Sequence, residues 1–169
     1  VNILDGGKGA FGTEGIVSTS RGCPFCCTFC AAHSIHGRKM RYLSLERVKE
    51  EVDFWIDTYN VDTINIIDDN SLGDVDRMIK IIDYIGSRGK NVFFANTLSF
   101  VPVTKEFVDC LVRNNIKDVH FALESGSARV LREIMHKPIT LKRADEVLAM
   151  FRGTDIFVKI ALLVGFPDE

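Results

Sequence analysis

The sequence predicts an α/β protein: a parallel sheet with helices outside. Three observations carry that reading. Short apolar runs alternate with helical patterns along the chain, so consecutive strands are joined by crossovers and run parallel. The runs are near-continuous, as suits strands buried on both faces. The residues able to do chemistry fall in the loops after the strands, which form the functional face of both a (β/α) barrel and a doubly wound sheet. Half a barrel and a doubly wound sheet both satisfy these observations.

The elements follow in order. Residues 16–20 are a β-rich first strand, and a long loop, 21–43, carries four cysteines and several basic residues. Ser44 caps a helix reaching about residue 59, with Leu45, Val48, Val52, Trp55, Ile56 and Tyr59 at helical spacing. Residues 63–67 are the second strand, ended by Asp68, Asp69 and Asn70. Asp74 opens a second helix with Val75, Met78, Ile79, Ile82 and Ile85 on one face and Gly89 near its end. Residues 91–96 form the third strand, and Thr104 caps a third helix carrying Phe107, Val108, Leu111 and Val112. Residues 118–124 form the fourth strand. Ser127 and Thr140 start two helical pieces split at Pro138, which cannot sit inside a helix. Residues 156–164 are the fifth strand.

Composition bounds the function. With 169 residues, 46% hydrophobic and 26% charged, the chain buries a sizeable core and is not disordered as a whole. A formal net charge of −2 argues against a dedicated nucleic-acid binder. The longest apolar stretch, 156–166, is broken by Lys159 and is too short to span a bilayer. No signal for secretion opens the chain, so a reducing, cytoplasmic setting is expected. Val1 is not a methionine and residues 165–169 read as a loop after a buried strand, so the chain is expected to be a piece of something longer. Residues 1–15 read as a lead-in or linker and 16–169 as a core domain cut at its C-terminus.

Cys23, Cys26, Cys27 and Cys30 are clustered, and Cys110 stands alone as a small buried hydrophobe. Read as Cys23-x3-Cys27-x2-Cys30, the loop supplies three thiolates, with Cys26 a spacer. Full ligation of a 4Fe-4S cluster takes four cysteines, so three leave one iron open. An open metal position chelates a substrate or cofactor, as in catalytic zinc sites. A competing reading is a zinc-binding module without catalysis, using Cys27, Cys30 and His33. It leaves the other loop motifs unexplained. Arg38, Lys39 and Arg41 read as a solvated charge group beside the site, with a carboxylate or phosphate contact left open.

On these residues the chain resembles the radical S-adenosylmethionine (radical SAM) superfamily. The CxxxCxΦC pattern is matched, with Phe29 before the last cysteine. Among its branches the sequence is most similar to the one whose members carry a cobalamin-binding domain ahead of the barrel. The matching stretches are Arg21-Gly22-Cys23-Pro24-Phe25, Gly37 to Ser44, Asp68-Asp69, Glu124-Ser125-Gly126-Ser127 and Gly165 to Glu169. The resemblance implies a partial (β/α) barrel of the radical SAM type, with five of about six strands present.

It also implies an enzyme that binds a 4Fe-4S cluster through Cys23, Cys27 and Cys30 and S-adenosylmethionine at the open iron. Reductive cleavage would give a 5′-deoxyadenosyl radical for methylation, cyclisation or rearrangement of a small molecule. Cobalamin bound outside this segment and an electron donor such as flavodoxin or ferredoxin are implied with it. A second enzyme reading is a methylthiotransferase acting on RNA or protein. Carried over by position, Phe29 lies near the adenine. Asp68, Asp69 and Asn70 stand where many relatives have Gly-Gly-Glu for the methionyl amino group. Glu124 contacts the ribose, with Ser125, Gly126 and Ser127 beside it, and Gly165 and Pro167 pack on the adenine.

Side chains two apart share a face of a strand. With Glu124 inside, His120 and Ala122 point inward too, and the same parity from Asp69 brings in Asn65 and Ile67. Asn96, on the face of Val92 and Phe94, and Lys159, with Ala161 and Leu163, complete a polar interior that a cofactor would partner. The alternative turns Lys159 and Asn65 outward between the helices.

Overall fold

The computed structural model describes residues 8–9 and 12–169. The lead-in expected over 1–15 lies partly outside the described residues. Within them, β1 (Lys8–Gly9) pairs antiparallel with β2 (Gly12–Val17), so the first main strand starts and stops earlier than its β-rich run suggests. Next come β3 (Ser20–Arg21), a short α1 (Ala32–Ile35) and β4 (Arg41–Tyr42). The expected alternation follows: α2 (Leu45–Tyr59), β5 (Thr63–Ile66), α3 (Val75–Ser87), β6 (Asn91–Phe94), α4 (Lys105–Arg113), β7 (Asp118–Glu124), a π-helical turn (Val130–Ile134), α5 (Leu141–Met150) and β8 (Phe157–Leu162).

The sheet runs β1-β2-β5-β6, with β2, β5 and β6 parallel, and β7 pairs parallel with β8. A parallel bridge from Leu98 to Phe121 joins the two parts. Five parallel strands therefore curve as an incomplete barrel with helices outside. The helix starts are where the sequence puts them. Ser44, Asp74, Thr104 and Thr140 each accept a hydrogen bond from the backbone N–H three residues on.

The core lies between the strands and the helices. Val17, Ile64, Ile66, Val92, Phe94, Val119 and Phe121 face Val52, Ile82, Phe107, Leu111 and Val147. Each such burial contributes about 1.5–3 kcal/mol. One expected orientation is corrected here. Val92 and Phe94 belong to this helix-side core, so they do not share the inner face with the site. Apolar positions at period two are the ones the helices cover. Phe93 faces inward instead, its ring edge-on to His120 at 6.2 Å. Asn96 lies beyond β6, exposed, and donates to the carbonyls of Ile67 and Asp68.

The inner face is polar, as expected. Asn65 donates to Glu14, and Asp118 accepts from Lys159 at 2.6 Å and meets His120 at 3.2 Å. Lys159 is the register neighbour of His120, so both point to one side. Cys110 is buried on the other side. Burial and the neighbouring Asp83 carboxylate push its thiol up to about 12, as for an inert core cysteine.

Candidate functional site

The site sits at the C-terminal ends of the strands, and two adjacent carboxylates after β5 assemble it. Asp68 is fully buried and accepts three hydrogen bonds of 2.6 Å, from the Thr19 amide and from the hydroxyls of Thr19 and Ser20. It ties the end of β2 to the end of β5. Asp69 turns the other way. It accepts from the Gly22 amide at 2.9 Å and meets His36 Nδ1 at 2.8 Å, so it holds both flanks of the cysteine loop. Gly22 has φ +95°, and a Cβ there would come within 2.5 Å of the Lys39 carbonyl. Only glycine fits this turn. The Cys23 amide then donates to Gly37 O, closing the base of the loop.

The tip of the loop is pinned from the opposite side. Thr28 donates through its amide to Met135 O and through its hydroxyl to Ile134 O. These carbonyls end the π-helical turn after β7. Such turns are often found at functional sites, because the wider coil redirects the chain.

Between these supports lies a cavity of about 170 Å³. Cys23, Cys27 and Cys30 line one wall with Phe25 and Phe29, and Asp69, Asn70, Glu124 and Lys137 line the others. Cys26 is exposed and does not line it. Burial pushes the Cys23 and Cys27 thiols above their ordinary range, each thiol feels the nearby Cys30, and Lys137 pulls both back. A metal centre here therefore binds with loss of thiol protons.

Glu124 closes the cavity floor. It ends β7 at a bulge after Ala122 and holds φ +74°, the left-handed region that few non-glycine residues adopt. The bulge re-aims the side chain. Its carboxylate is 9% exposed and accepts from Lys137 Nζ, 13% exposed, at 3.1 Å. Lys137 also stands 5.9 Å from the centre of the Phe29 ring. The sequence reading missed Lys137. Its signal was a lysine beside Pro138, where a helix must stop.

Not every expected residue joins the cavity. Asp68 faces inward to its hydroxyl partners. Ser125 and Ser127 serve the turn, accepting from the amides of Ser127 and Val130, and Gly126 is exposed beside them. Asn96 braces the chain after β5, and Lys159 pairs with Asp118 lower in the barrel. Gly165 and Pro167 flank Phe166, whose ring is edge-on to Phe29 at 6.1 Å.

The donor set fits an iron–sulfur cluster better than a single ion. Among the described residues no three His, Cys, Asp or Glu side chains close on one metal position. The three thiols flank a cavity instead, as thiolates must around a cluster several atoms across.

The family model described as the Radical SAM superfamily matches residues 17–169. The chain belongs to the radical SAM superfamily. Among curated relatives of this radical SAM chain, the cytidylyl-2-hydroxyethylphosphonate methyltransferase of Streptomyces wedmorensis is 31% identical over 153 residues, 90% of this chain and 29% of that protein. An uncharacterized methyltransferase of Pyrococcus horikoshii is 29% identical over 92% of this chain and 34% of its own length. The fold matches TsrM, a radical S-adenosylmethionine methyltransferase from Kitasatospora setae solved with cobalamin and a 4Fe-4S cluster. The TM-score is 0.77 at 17% identity, over 92% of this chain and 32% of that one. The chain thus spans about a third of the length of these relatives. No helix among the described residues is long and apolar enough to cross a membrane.

Proposed function

We propose that this chain is the core of a radical SAM methyltransferase that acts on a small molecule and works with cobalamin held elsewhere in the longer protein. The observation that carries the reading is one cavity holding three thiols, an aromatic wall and a buried Glu124–Lys137 pair. The methyltransferase relatives supply the reaction class, and the cobalamin comes from TsrM.

Cys23, Cys27 and Cys30 hold the 4Fe-4S cluster, and Cys26 does not. When bound, the cluster supplies the electron that splits S-adenosylmethionine. The chain's own residues bind and orient that cofactor. Phe29 and Phe166 offer an apolar wall to the adenine. Glu124, held by its bulge, accepts from ribose hydroxyls, since a carboxylate is the stronger acceptor. Lys137 is the cation available to the cofactor's carboxylate. Asp69 keeps the loop in place by its bonds to Gly22 and His36, and Asp68 fixes the strand ends beneath it.

A methylthiotransferase acting on RNA is the second reading. A threonylcarbamoyladenosine tRNA methylthiotransferase of Archaeoglobus fulgidus is 28% identical over 91% of this chain. A second cysteine set in the full-length sequence would favour it. The test of the main reading is anaerobic calorimetry with S-adenosylmethionine on the reconstituted full-length protein. Glu124→Gln is expected to keep its iron and lose affinity about tenfold, from the weaker acceptor. Unchanged affinity would reduce Glu124 to a strand-end polar residue.

A further inference from the structure

The basic group after the cysteine loop is not used by the cavity, and its arrangement is unusual. In the β3–β4 ribbon Arg21 stands directly opposite Arg41. Like charges in that position destabilise a ribbon. Neither is neutralised. Arg21 donates to Ser20 O and Arg41 to His36 O, both backbone carbonyls. Arg38 and Lys39 are exposed, and no ion pair among the described residues engages any of the four. One carboxylate faces them, Glu51, on α2 beside Arg47 and Arg21.

The same face has an apolar centre. Tyr42 and Leu43 are each 41% exposed, and a hollow of about 350 Å³ opens between Arg21, Arg41, Tyr42 and Glu51. Tyrosine and arginine are the residues enriched where proteins meet. The patch also rests directly on the cluster loop. Gly37 O accepts from the Cys23 amide, and Lys39 O packs on Gly22.

We propose that this face docks an acidic one-electron carrier protein of the flavin or iron–sulfur type, which reduces the cluster from the Cys23 side. The inference rests on the cluster reading above. In the step the carrier loses one electron and the cluster gains it; no atom or proton changes place. Charge complementarity selects the occupant: a cationic rim around a small apolar centre attracts an acidic surface and speeds its arrival.

The experiment uses the full-length protein and reduced flavodoxin as the probe. Bleaching of the reconstituted cluster is followed by stopped flow at low and high salt. Wild-type reduction is expected to slow as salt rises, and Arg38→Glu combined with Lys39→Glu to slow it on the order of tenfold at low salt. Reduction by a small photoreduced deazaflavin is expected to be the same in both. A second arm measures flavodoxin binding by calorimetry before any cluster is installed, with binding expected in the wild type and lost in the variant. That arm does not depend on a cluster, so its result is separable from failure of the cluster reading. Equal flavodoxin rates, or equal binding, in wild type and variant would overturn the proposal. So would a wild type that binds no flavodoxin.

Discussion

The two faces of the same strands obey different rules. The outer face is apolar and closed: Ile64, Ile66, Val92, Phe94 and Phe121 are all buried under helices. The inner face carries Glu14, Asn65, Asp118, His120 and Lys159, each in a polar contact, and leads up to the cavity. A barrel whose task is only structural fills its interior with branched apolar side chains. The contrast teaches that the outer face specifies the fold and the inner face is kept for chemistry.

The largest expected effect tests the outer face. Phe121 is fully buried, stacked on Phe100 at 4.6 Å and edge-on to Phe151 at 5.8 Å. Phe121→Ala should cost about 3–5 kcal/mol in urea unfolding. A loss below about 1 kcal/mol, the scale of an exposed contact, would break the contrast. Asp68 sharpens it, because it is a polar residue that behaves as core. Asp68→Ala strands three buried donors and should cost about 3 kcal/mol, against a near-neutral outcome if the carboxylate only waits for a ligand. Iron loading of that variant should fall with its stability.

The outer face was legible in the sequence, because burial under a helix writes a period of two into the strands and of 3.6 into the helices. Ser44, Asp74, Thr104 and Thr140 could be read as caps for the same local reason. What was hidden is non-local. Nothing near Asp68 and Asp69 says that one turns to Thr19 and the other to Gly22, residues almost fifty positions away. The β3–β4 ribbon has only two residues in each strand, too short for a pattern. Asn96 was assigned by parity continued past the strand end, where parity no longer holds. Lys137 reaches Glu124 only because the π-helical turn brings the chain back, and no periodicity announces that turn.

The smallest effect belongs to the solvent side of the helices. Arg113 and Asn114 hydrogen-bond the Asp83 carboxyl and hold it below the usual carboxylate value of 3.8. A lowered folded pKa means the unfolded chain binds more protons, so stability rises with pH. The contribution is complete above about 4 and fades as pH falls through the lowered value. Asp83 and Arg113 are 40% and 46% exposed, so solvent screening keeps the effect below about 1 kcal/mol. Acid titration of stability should be slightly shallower in Asp83→Asn; a steeper fall would put the acid-sensitive group elsewhere.

The cavity itself is tested most directly by iron content. After anaerobic reconstitution of the full-length protein, Cys26→Ala should retain wild-type iron and sulfide, because Cys26 is exposed and off the cavity wall. Cys27→Ala should lose most of both, because Cys27 lines that wall between the other two thiols. Equal loss in the two variants would contradict the three-thiolate centre on which the account stands.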